Sequence, residues 1–413
     1  MAFEALKGWT SQQKHVVGAA YLGWTMDAYD FFLMVFTFKY IAADFHVKIP
    51  QVALATVLTL ACRPIGAFIF GRLADRFGRR PILMLDIACY SVMSFVIAFT
   101  QNLGQFLVAA AFFGVAMGGV WGIGASLAME TIPTKARGMI SGLLQSGYPT
   151  GYLIASVIYG ALFPQIGWRG MFMVGILPAA LLVVYIFLSV KESPHFNVER
   201  AKSQSTFSVL KNHWKIALFA ILLMTAYNFF SHGTQDLYPT FLQKQMMFAP
   251  GQVSLIAIIY NVGAVIGGLS VGSLSQIWGR RRTAMIAALL SLPVIYLATF
   301  STTFTMLAIG SFLMQVFVQG AWGVVPAHLN ELAPADARGT FPGTVYQLGN
   351  LRAAVNLYLQ TYWAEKNGGN YGLPIAVVAG CAAIAIAIFM KFGPEASHVE
   401  MGGLIAEPAV EVD

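Results

Sequence analysis

Long runs of apolar residues, separated by short polar or charged segments, fill almost the whole chain. A helix that crosses a bilayer needs roughly 20 mostly apolar residues, and twelve runs are long enough. The pattern therefore predicts an all-α membrane protein with twelve transmembrane helices. In the first half the runs are about 16–40, 51–71, 81–101, 104–129, 138–163 and 170–190. In the second half they are about 215–243, 252–275, 283–303, 305–329, 339–363 and 371–391.

The polar segment between the second and third runs recurs in the second half of the chain. Gly71-Arg-Leu-Ala-Asp-Arg-Phe-Gly-Arg-Arg80 is matched by Gly272-Ser-Leu-Ser-Gln-Ile-Trp-Gly-Arg-Arg281, at an offset of 272 − 71 = 201 residues. Several further matches share this register, which indicates a duplicated half-chain. They pair Trp121, Glu130, Pro133 and Arg137 with Trp322, Glu331, Pro334 and Arg338. A parallel repeat of membrane helices is typical of transporters, whose binding site lies between the halves.

The repeat and the polar segments together predict four regions of the chain. Residues 1–190 form an N-terminal six-helix bundle and 215–391 a C-terminal one. Residues 191–214, rich in charge and serine, form a cytoplasmic linker, and 392–413 a cytoplasmic tail. The two bundles are expected to be pseudo-symmetric.

Composition agrees with a protein that lies mostly in lipid. Charged residues are 10% of the chain and hydrophobic residues 57%, whereas soluble domains carry about a quarter charged residues. The net charge of +7 does not indicate nucleic acid, because the basic residues punctuate the apolar runs and form no surface stripe. Most of the 25 Lys and Arg residues fall on the side of the N-terminus and the linker. The positive-inside rule therefore predicts a multi-pass protein of the cytoplasmic (inner or plasma) membrane with both termini in the cytoplasm.

The charged loop segments resemble the signatures of the major facilitator superfamily. The loop pattern Gly-x-x-x-Asp-Arg-x-Gly-Arg-Arg is complete at 71–80, whereas its second copy carries Gln276 in place of the acid. The pairs Glu130/Arg137 and Glu331/Arg338 resemble the companion signature at the ends of the fourth and tenth spans. The resemblance implies two six-helix bundles that expose a central site alternately to either side of the membrane.

These charged loop residues are predicted to gate the alternation. Charge-assisted hydrogen bonds between helix ends would form in one state and separate in the other. An alternative is that the charges only set membrane topology and cap helices. The gating residues predicted in this way are Asp75, Arg76, Glu130, Arg137, Glu331 and Arg338.

A few ionisable residues fall inside the predicted spans, where charge is expensive and marks function by default. They are Asp27 and Asp30 in the first span, Arg63 in the second, His232 and Asp236 in the seventh, and Arg352 in the eleventh. Asp27 and Asp30 are three residues apart and share a helical face. Arg352 follows two polar residues of the same span, Gln347 and Asn350.

The seventh span carries a polar stripe. Asn228, His232, Asp236 and Thr240 recur every four residues, close to the 3.6-residue turn of a helix. Such a stripe suits a helix that lines a water-filled cavity. Because histidine titrates near neutral pH, the pair His232–Asp236 is predicted to couple protons to transport. The alternative is a structural core histidine held by Asp236.

Arg63 is the first candidate for binding an anionic substrate. A guanidinium matches a carboxylate bidentately and stays charged at any relevant pH. The alternative is that Arg63 pairs with Asp27 or Asp30, and both interpretations hold if an incoming anion takes over the arginine. Arg352 is predicted to bind substrate from the other half, on physical grounds alone.

The seventh span also resembles Jen-type lactate permeases of the sialate:proton symporter family. Their pattern Asn-x-x-Ser/Thr-His-x-Ser/Thr-Gln-Asp-x-x-x-Thr is filled at every fixed position of 228–240. Tyr346-Gln-Leu-Gly-Asn350 resembles the pore-lining Gln and Asn of that group, and Arg63-Pro-Ile-Gly-Ala67 its second-span arginine segment. The resemblance implies proton-coupled uptake of short monocarboxylates such as lactate and pyruvate. It assigns substrate or proton roles to Asn228, His232, Asp236, Gln347, Asn350 and Arg63.

Three alternatives stay open at this point. Sialic acid carriers of the same family have additional spans, for which this chain has no room. Aromatic-acid:proton symporters carry paired acids in the first span, like Asp27 and Asp30, which are therefore also proton-coupling candidates. A carboxylate sensor of the same fold that does not transport is the third. An enzyme is not expected, since His-Glu-x-x-His is absent from the sequence.

The expected partners are a small organic anion, protons and membrane lipid, and the expected state is a monomer. The proton is the expected coupling ion, without a metal or another cofactor.

Overall fold

The computed structural model describes residues 8–194, 196, 213–334 and 337–396, which fold into helices without a strand. The first half contains α1 (Ser11–Asp44), α2 (Ile49–Phe77), α3 (Arg79–Ile97), α4 (Leu103–Met117), α5 (Val120–Thr131), α6 (Arg137–Val174) and α7 (Ile176–Ser189). The second contains α8 (Trp214–Gln235), α9 (Pro250–Trp278), α10 (Arg280–Phe300), α11 (Phe304–Leu332), α12 (Phe341–Ala353), α13 (Asn356–Lys366) and α14 (Gly372–Phe392). Most of the predicted linker 191–214 and the predicted tail beyond 396 lie outside the described residues.

These helices form the twelve predicted spans, some of them interrupted. The fourth span consists of α4 and α5, joined at Gly118–Gly119, and the eleventh consists of α12 and α13. Gly167 interrupts α6 with a φ of 61°, a conformation that glycine adopts without a steric cost, and separates the fifth span from the sixth. The seventh span continues from α8 through one helical turn, Tyr238–Thr240, and a π-helical turn, Phe241–Gln245.

The first and eleventh spans differ from the others in polarity. Within the described ranges, nine helical segments are long and apolar enough to cross a membrane, and one of them, 134–189, covers both the fifth and sixth spans. The first span (α1) and the eleventh (α12 and α13) are the two that do not meet this criterion. Both carry several polar residues on faces that are buried in protein, which reduces their mean hydropathy.

The two halves pack closely at one end of the molecule, the end that carries the loop 71–80 and is called the signature end below. Here α2 packs on α12, and α6 on α9 and α11. A Cβ added to Gly71 would lie 2.8 Å from the Cα of Thr340, and one added to Gly142 would lie 2.1 Å from the carbonyl oxygen of Gly268. Glycine at these positions lets the backbones of the two halves touch.

Candidate functional site

A cavity lies between the two halves. Polar and aromatic side chains from both halves line it. The first half contributes Trp24, Phe31, Leu60, Arg63, Gln145 and Tyr148. The second contributes Asn228, Ser231, His232, Gln319, Trp322, Tyr346 and Asn350.

Arg63 brings a cation to the wall of this cavity and is 4% exposed. Its Nη2 donates to Asp27 Oδ2 at 3.2 Å and to Met117 Sδ at 3.4 Å, and its guanidinium lies over the ring of Phe31. Its Nε has no hydrogen-bond partner among the described residues. The pairing with Asp27 matches one sequence interpretation, and the unused donors leave room for the other.

His232 and Asp236 form an ion pair, with Nδ1 of the histidine 3.1 Å from Oδ2 of the aspartate. The His232 side chain is 24% exposed and lines the cavity, and that of Asp236 is 33% exposed. Both side chains are therefore partly exposed, unlike those of Asp27 and Arg63. The geometry suits a group that exchanges protons with the cavity.

The rest of the polar stripe on α8 is held by glutamines of α11 that the sequence analysis did not single out. Gln319 Nε2 donates to Ser231 Oγ at 3.1 Å, and Gln315 Nε2 donates to Thr234 Oγ1 at 3.3 Å. Asn228 Nδ2 donates to the carbonyl oxygen of Met224, which leaves its Oδ1 available to a ligand. Glutamines spaced four apart on α11 were a recognisable signal, since they also lie in an apolar span.

The polar residues of the eleventh span are divided between two environments. Asn350 lines the cavity, and its Nδ2 donates to Oε1 of the buried Gln347 at 3.4 Å. Arg352 is exposed, is absent from the cavity lining, and donates to the carbonyl oxygen of Leu348 one turn earlier. The structure thus brings Asn350 and Gln347 to the site and places Arg352 outside it.

Aromatic rings from both halves close the cavity around Tyr346. Its ring centroid lies 4.7 Å from Trp121, 5.7 Å from Trp322 and 6.5 Å from Trp24. Trp24 also stacks on Tyr148 at 5.7 Å. These rings offer flat apolar surfaces to the carbon skeleton of a ligand.

At the signature end, Asp75 joins the halves through several hydrogen bonds. Its carboxylate accepts from the backbone N–H of Gly339 at 2.7 Å, and from the N–H of Thr340 at 2.9 Å and its hydroxyl at 2.5 Å. Its in-half partner is Arg79, whose Nη2 lies 3.3 Å from Asp75 and 3.1 Å from Glu130. The predicted Arg76 is exposed over the ring of Phe77, because it points to the other side of α2, and Arg79 takes its place.

The second half repeats this arrangement with a neutral residue. Gln276 Oε1 accepts from the N–H of Gly138 at 2.9 Å, the counterpart of the bond between Gly339 and Asp75. Glu331 is paired with Arg280 at 2.9 Å and with Arg137 of the other half at 3.9 Å. The predicted Arg338 is buried, and its carbonyl oxygen accepts from Ser126 Oγ. We call Asp75, Gln276 and the residues bonded to them the latch.

A group of acidic residues lies behind Arg63 in the first half. Asp27 and Asp30 are 0% and 1% exposed, and neither lines the cavity. A third acid, Asp86 of α3, is also 0% exposed and was missed in the sequence analysis, although it lies within a predicted span. Among the described residues, no group of His, Cys, Asp or Glu side chains is arranged to hold a metal ion.

Curated relatives that match the chain are named as transporters, several of them of organic acids. The carboxylic acid transporter protein homolog of Saccharomyces cerevisiae is 28% identical over 388 residues, covering 87% of this chain but only 63% of the relative's length. The sialic acid transporter NanX of Escherichia coli is 26% identical and covers 92% of this chain and 94% of its own. The cis,cis-muconate transport protein of Acinetobacter baylyi is 26% identical, covering 90% and 93%.

Solved structures share the fold at low identity. A double-tryptophan mutant of XylE matches with a TM-score of 0.79 and 17% identity, covering 95% of this chain and 98% of that one. The human organic anion transporter MFSD10 (TETRAN) matches with a TM-score of 0.68 and 14% identity, covering 92% and 99%.

Two family models cover the chain between them. The model of the sugar (and other) transporters matches residues 212–399, and that of the Major Facilitator Superfamily matches residues 19–236. The twelve spans, the two similar halves and these matches agree, and the chain is a membrane transporter that belongs to the Major Facilitator Superfamily.

Proposed function

We propose that this transporter is a proton-coupled symporter of short monocarboxylates such as lactate and pyruvate. The observation that carries the proposal is the cavity wall, where a buried arginine with unused donors and the partly exposed His232, bonded to Asp236, line one chamber. Arg63 supplies the anion site and His232–Asp236 a site for the proton. The name of the yeast relative, a carboxylic acid transporter homolog, supports the same substrate class.

The cavity offers each part of such a substrate a partner. The carboxylate binds the guanidinium of Arg63, which is a fork of N–H donors. A neighbouring hydroxyl or keto oxygen is within the polar wall formed by Asn228 and Asn350. The carbon skeleton packs on the rings around Tyr346.

Binding of the anion and the proton is linked by charge. A carboxylate brought into a buried site is stabilised by added positive charge, so protonation of His232 favours its entry. The anion also competes with Asp27 for Arg63. Asp27 and Asp30, which lose their cation when the substrate binds, are the second group that takes up a proton.

Transport then follows from opening and closing at the latch. We place both termini and the signature end in the cytoplasm, as the distribution of basic residues favours. The bonds of Asp75 and Gln276 close that side in the conformation described here. They separate when the loaded halves rotate, so that the cavity opens toward the cytoplasm.

The test is uptake of labelled lactate into proteoliposomes under an imposed inward proton gradient. We expect accumulation that follows the gradient and collapses when a protonophore is added. Uptake that is unaffected by the pH gradient would contradict the proton coupling. A chain that binds lactate without any uptake would be a sensor.

A larger unsaturated or aromatic carboxylate is the second candidate, favoured by the walls of the cavity. Five aromatic side chains line the space. Relatives are named as transporters of muconate, niacin and sialic acid. Competition of labelled lactate uptake by unlabelled pyruvate, muconate, nicotinate and sialate ranks these substrates.

A further inference from the structure

The acidic residues behind Arg63 outnumber the cations near them. Asp27, Asp30 and Asp86 are each at most 1% exposed, and within the described residues Arg63 forms an ion pair with Asp27 alone of the three. Three ionised carboxylates beside one guanidinium would leave uncompensated charge in a medium of low dielectric constant. The group therefore holds protons in this conformation.

Asp86 is the acid of this group with the fewest hydrogen-bond partners among the described residues. Both of its carboxylate oxygens are buried and have no hydrogen-bond partner within the described part of the chain. A Cβ added to Gly119 would lie 2.5 Å from Asp86 Oδ2, so the carboxyl group is packed against the break between α4 and α5. A carboxylate without donors is unstable at such a site, and a neutral carboxylic acid is not. Asp86 therefore carries a proton here.

The three acids lie at different depths along the helices. Asp30 lies beside Ser94, which is 15 residues and about 22 Å from the start of α3 at the signature end. Asp86 is only seven residues, about 10 Å, from that start. Asp27 is near enough to both Asp30 and Asp86 to interact with each of them electrostatically.

The three acids and Arg63 form a charged row that has no counterpart in the second half, so the fold itself does not require it. Ala28-Tyr-Asp-Phe-Phe32 recurs as Ala226-Tyr-Asn-Phe-Phe230, with an amide in place of the acid. At the offset of 201 residues, Arg63 corresponds to Ala264 and Asp86 to Ala287. The first half alone carries the charged row.

We propose that Asp30, Asp27 and Asp86 form a proton route through the interior of the first half, separate from the substrate cavity, with Asp86 as its last residue before the signature end. The inference rests on the proposed proton coupling and assigns its path. Each step moves one proton from a carboxylic acid to a carboxylate, so charge and atoms balance. The proton leaves Asp86 to water when the break at Gly118–Gly119 opens.

Arg63 connects this route to the substrate. While Arg63 is paired with Asp27, that carboxylate stays ionised and does not accept a proton. A substrate carboxylate that takes over the guanidinium frees Asp27, which then accepts a proton from Asp30. Asp27 passes this proton on only after Asp86 has released its own proton to water and become a carboxylate. The titratable and charged groups that face Asp86 are Asp27 of α1, Arg63 of α2, and Cys89 and Tyr90 of α3.

The experiment compares Asp86→Asn with the wild-type transporter in proteoliposomes. Two rates are measured: exchange of labelled for unlabelled lactate at equal pH on both sides, and proton movement with a pH-sensitive dye when lactate is added. We expect the exchange rate of Asp86→Asn to stay within about twofold of the wild-type rate. We expect its rate of lactate-dependent proton movement to be at least about tenfold lower than that of the wild type. Asp44→Asn, at an exposed carboxylate paired with Arg169, is the control and is expected to keep both rates.

The outcomes separate the two proposals. If the wild type exchanges lactate without moving protons, the proposed coupling fails. If the wild type moves protons and Asp86→Asn moves as many, the route through Asp86 is wrong.

A second measurement covers the case in which the variant does not fold. The infrared difference spectrum of the wild type on addition of substrate contains the carbonyl stretch of any carboxylic acid that changes protonation. We expect such a band, and we expect the folded Asp86→Glu variant to shift it. A spectrum without a carboxylic-acid band would overturn the proposal.

Discussion

In the proposed mechanism Arg63 exchanges one carboxylate partner, Asp27, for another, the carboxylate of the substrate. It is bonded to Asp27 through Nη2, and its Nε is unused within the described residues. His232 differs from it in contact with water, since a quarter of its side chain is exposed. In the proposed mechanism Arg63 therefore carries a permanent charge, whereas the charge of His232 changes with protonation.

Replacing Arg63 by lysine tests the fixed charge. Arg63→Lys retains the positive charge but loses the paired N–H donors of the guanidinium. We therefore expect the apparent dissociation constant for lactate to rise by about 10- to 100-fold. Substrate-dependent tryptophan fluorescence measures it. Arg352→Lys, the same substitution outside the cavity, is the matched control and should leave the constant unchanged. Equal effects of both substitutions would remove Arg63 from the site.

Replacing His232 by glutamine tests the variable charge. Protonated His232 attracts the substrate anion, so affinity in the wild type should weaken as the pH rises from about 5 to 8, where histidine loses its proton. His232→Gln keeps a polar side chain without this titration. We expect the dissociation constant of the variant for lactate to be almost independent of pH over that range. A wild-type slope that persists in the variant would show that another group causes it.

Sequence patterns identified the charged residues of the site but not the residues that support them. His232 and Asp236 were recognisable because four-residue spacing puts them on one face of a helix. Gln315 and Gln319 have the same spacing on α11, but their partners on α8 could not be predicted, because the two helices become neighbours only through packing. Arg76 and Arg79 were equally suitable on paper, but Arg76 is exposed at the end of α2, whereas Arg79, the first residue of α3, reaches Asp75 and Glu130.

The latch is asymmetric although the elements that carry it are repeated. Asp75 holds α12 through the two N–H groups and the hydroxyl of 339–340, whereas Gln276 holds α6 through one N–H group. Similar glutamates fix the starts of the neighbouring helices: Glu192 accepts from the N–H groups of Arg79 and Arg80, and Glu395 from those of 280–281. The two sides of the latch therefore have different strengths.

The asymmetry predicts unequal effects of latch substitutions. Asp75→Asn removes the charge from three hydrogen bonds between the halves, so we expect turnover in lactate exchange to fall by about tenfold with little change in affinity. Gln276→Ala removes a single neutral bond between the halves and should cost less than about threefold. Rates and binding constants for both variants provide the measurement. A larger effect of Gln276→Ala would contradict this account of the latch.

The contact between α6 and α9 predicts a steric effect. A Cβ on Gly142 would lie 2.1 Å from the carbonyl oxygen of Gly268, so Gly142→Ala forces the helices apart at the signature end. We expect spin-label distances across that end to increase, and exchange to fall by at least about tenfold. Gly160→Ala, on the same helix with nothing within 4 Å, is the control. Unchanged distances in Gly142→Ala would show that the contact is dispensable.

At the scale of the whole molecule, the duplication explains most of what could be predicted. Twelve apolar runs and a fixed offset are local properties, and they specify the number of spans and the two halves. The breaks at Gly118–Gly119 and between α12 and α13 could not be predicted, because glycines and polar residues are also common in uninterrupted spans. The closure at the signature end depends on how the halves meet, which no single span encodes.

The whole transport cycle predicts little dependence on voltage. One monocarboxylate and one proton carry no net charge together, whereas a single unbalanced charge would gain about 2.3 kcal/mol per 100 mV. We expect lactate uptake at fixed pH to differ by less than about twofold between 0 and 100 mV. Potassium–valinomycin gradients across proteoliposomes provide the measurement. A strong response to voltage would rule out the one-to-one stoichiometry.

The polarity of α1 has a consequence for how the protein is made. This helix does not meet the criterion for a free-standing span, and it carries two carboxylates that lipid would reject. Arg63, which neutralises one of them, belongs to the next helix and leaves the ribosome later. The nascent chain is therefore expected to enter the bilayer as a hairpin of α1 and α2, held at the translocon until both have emerged.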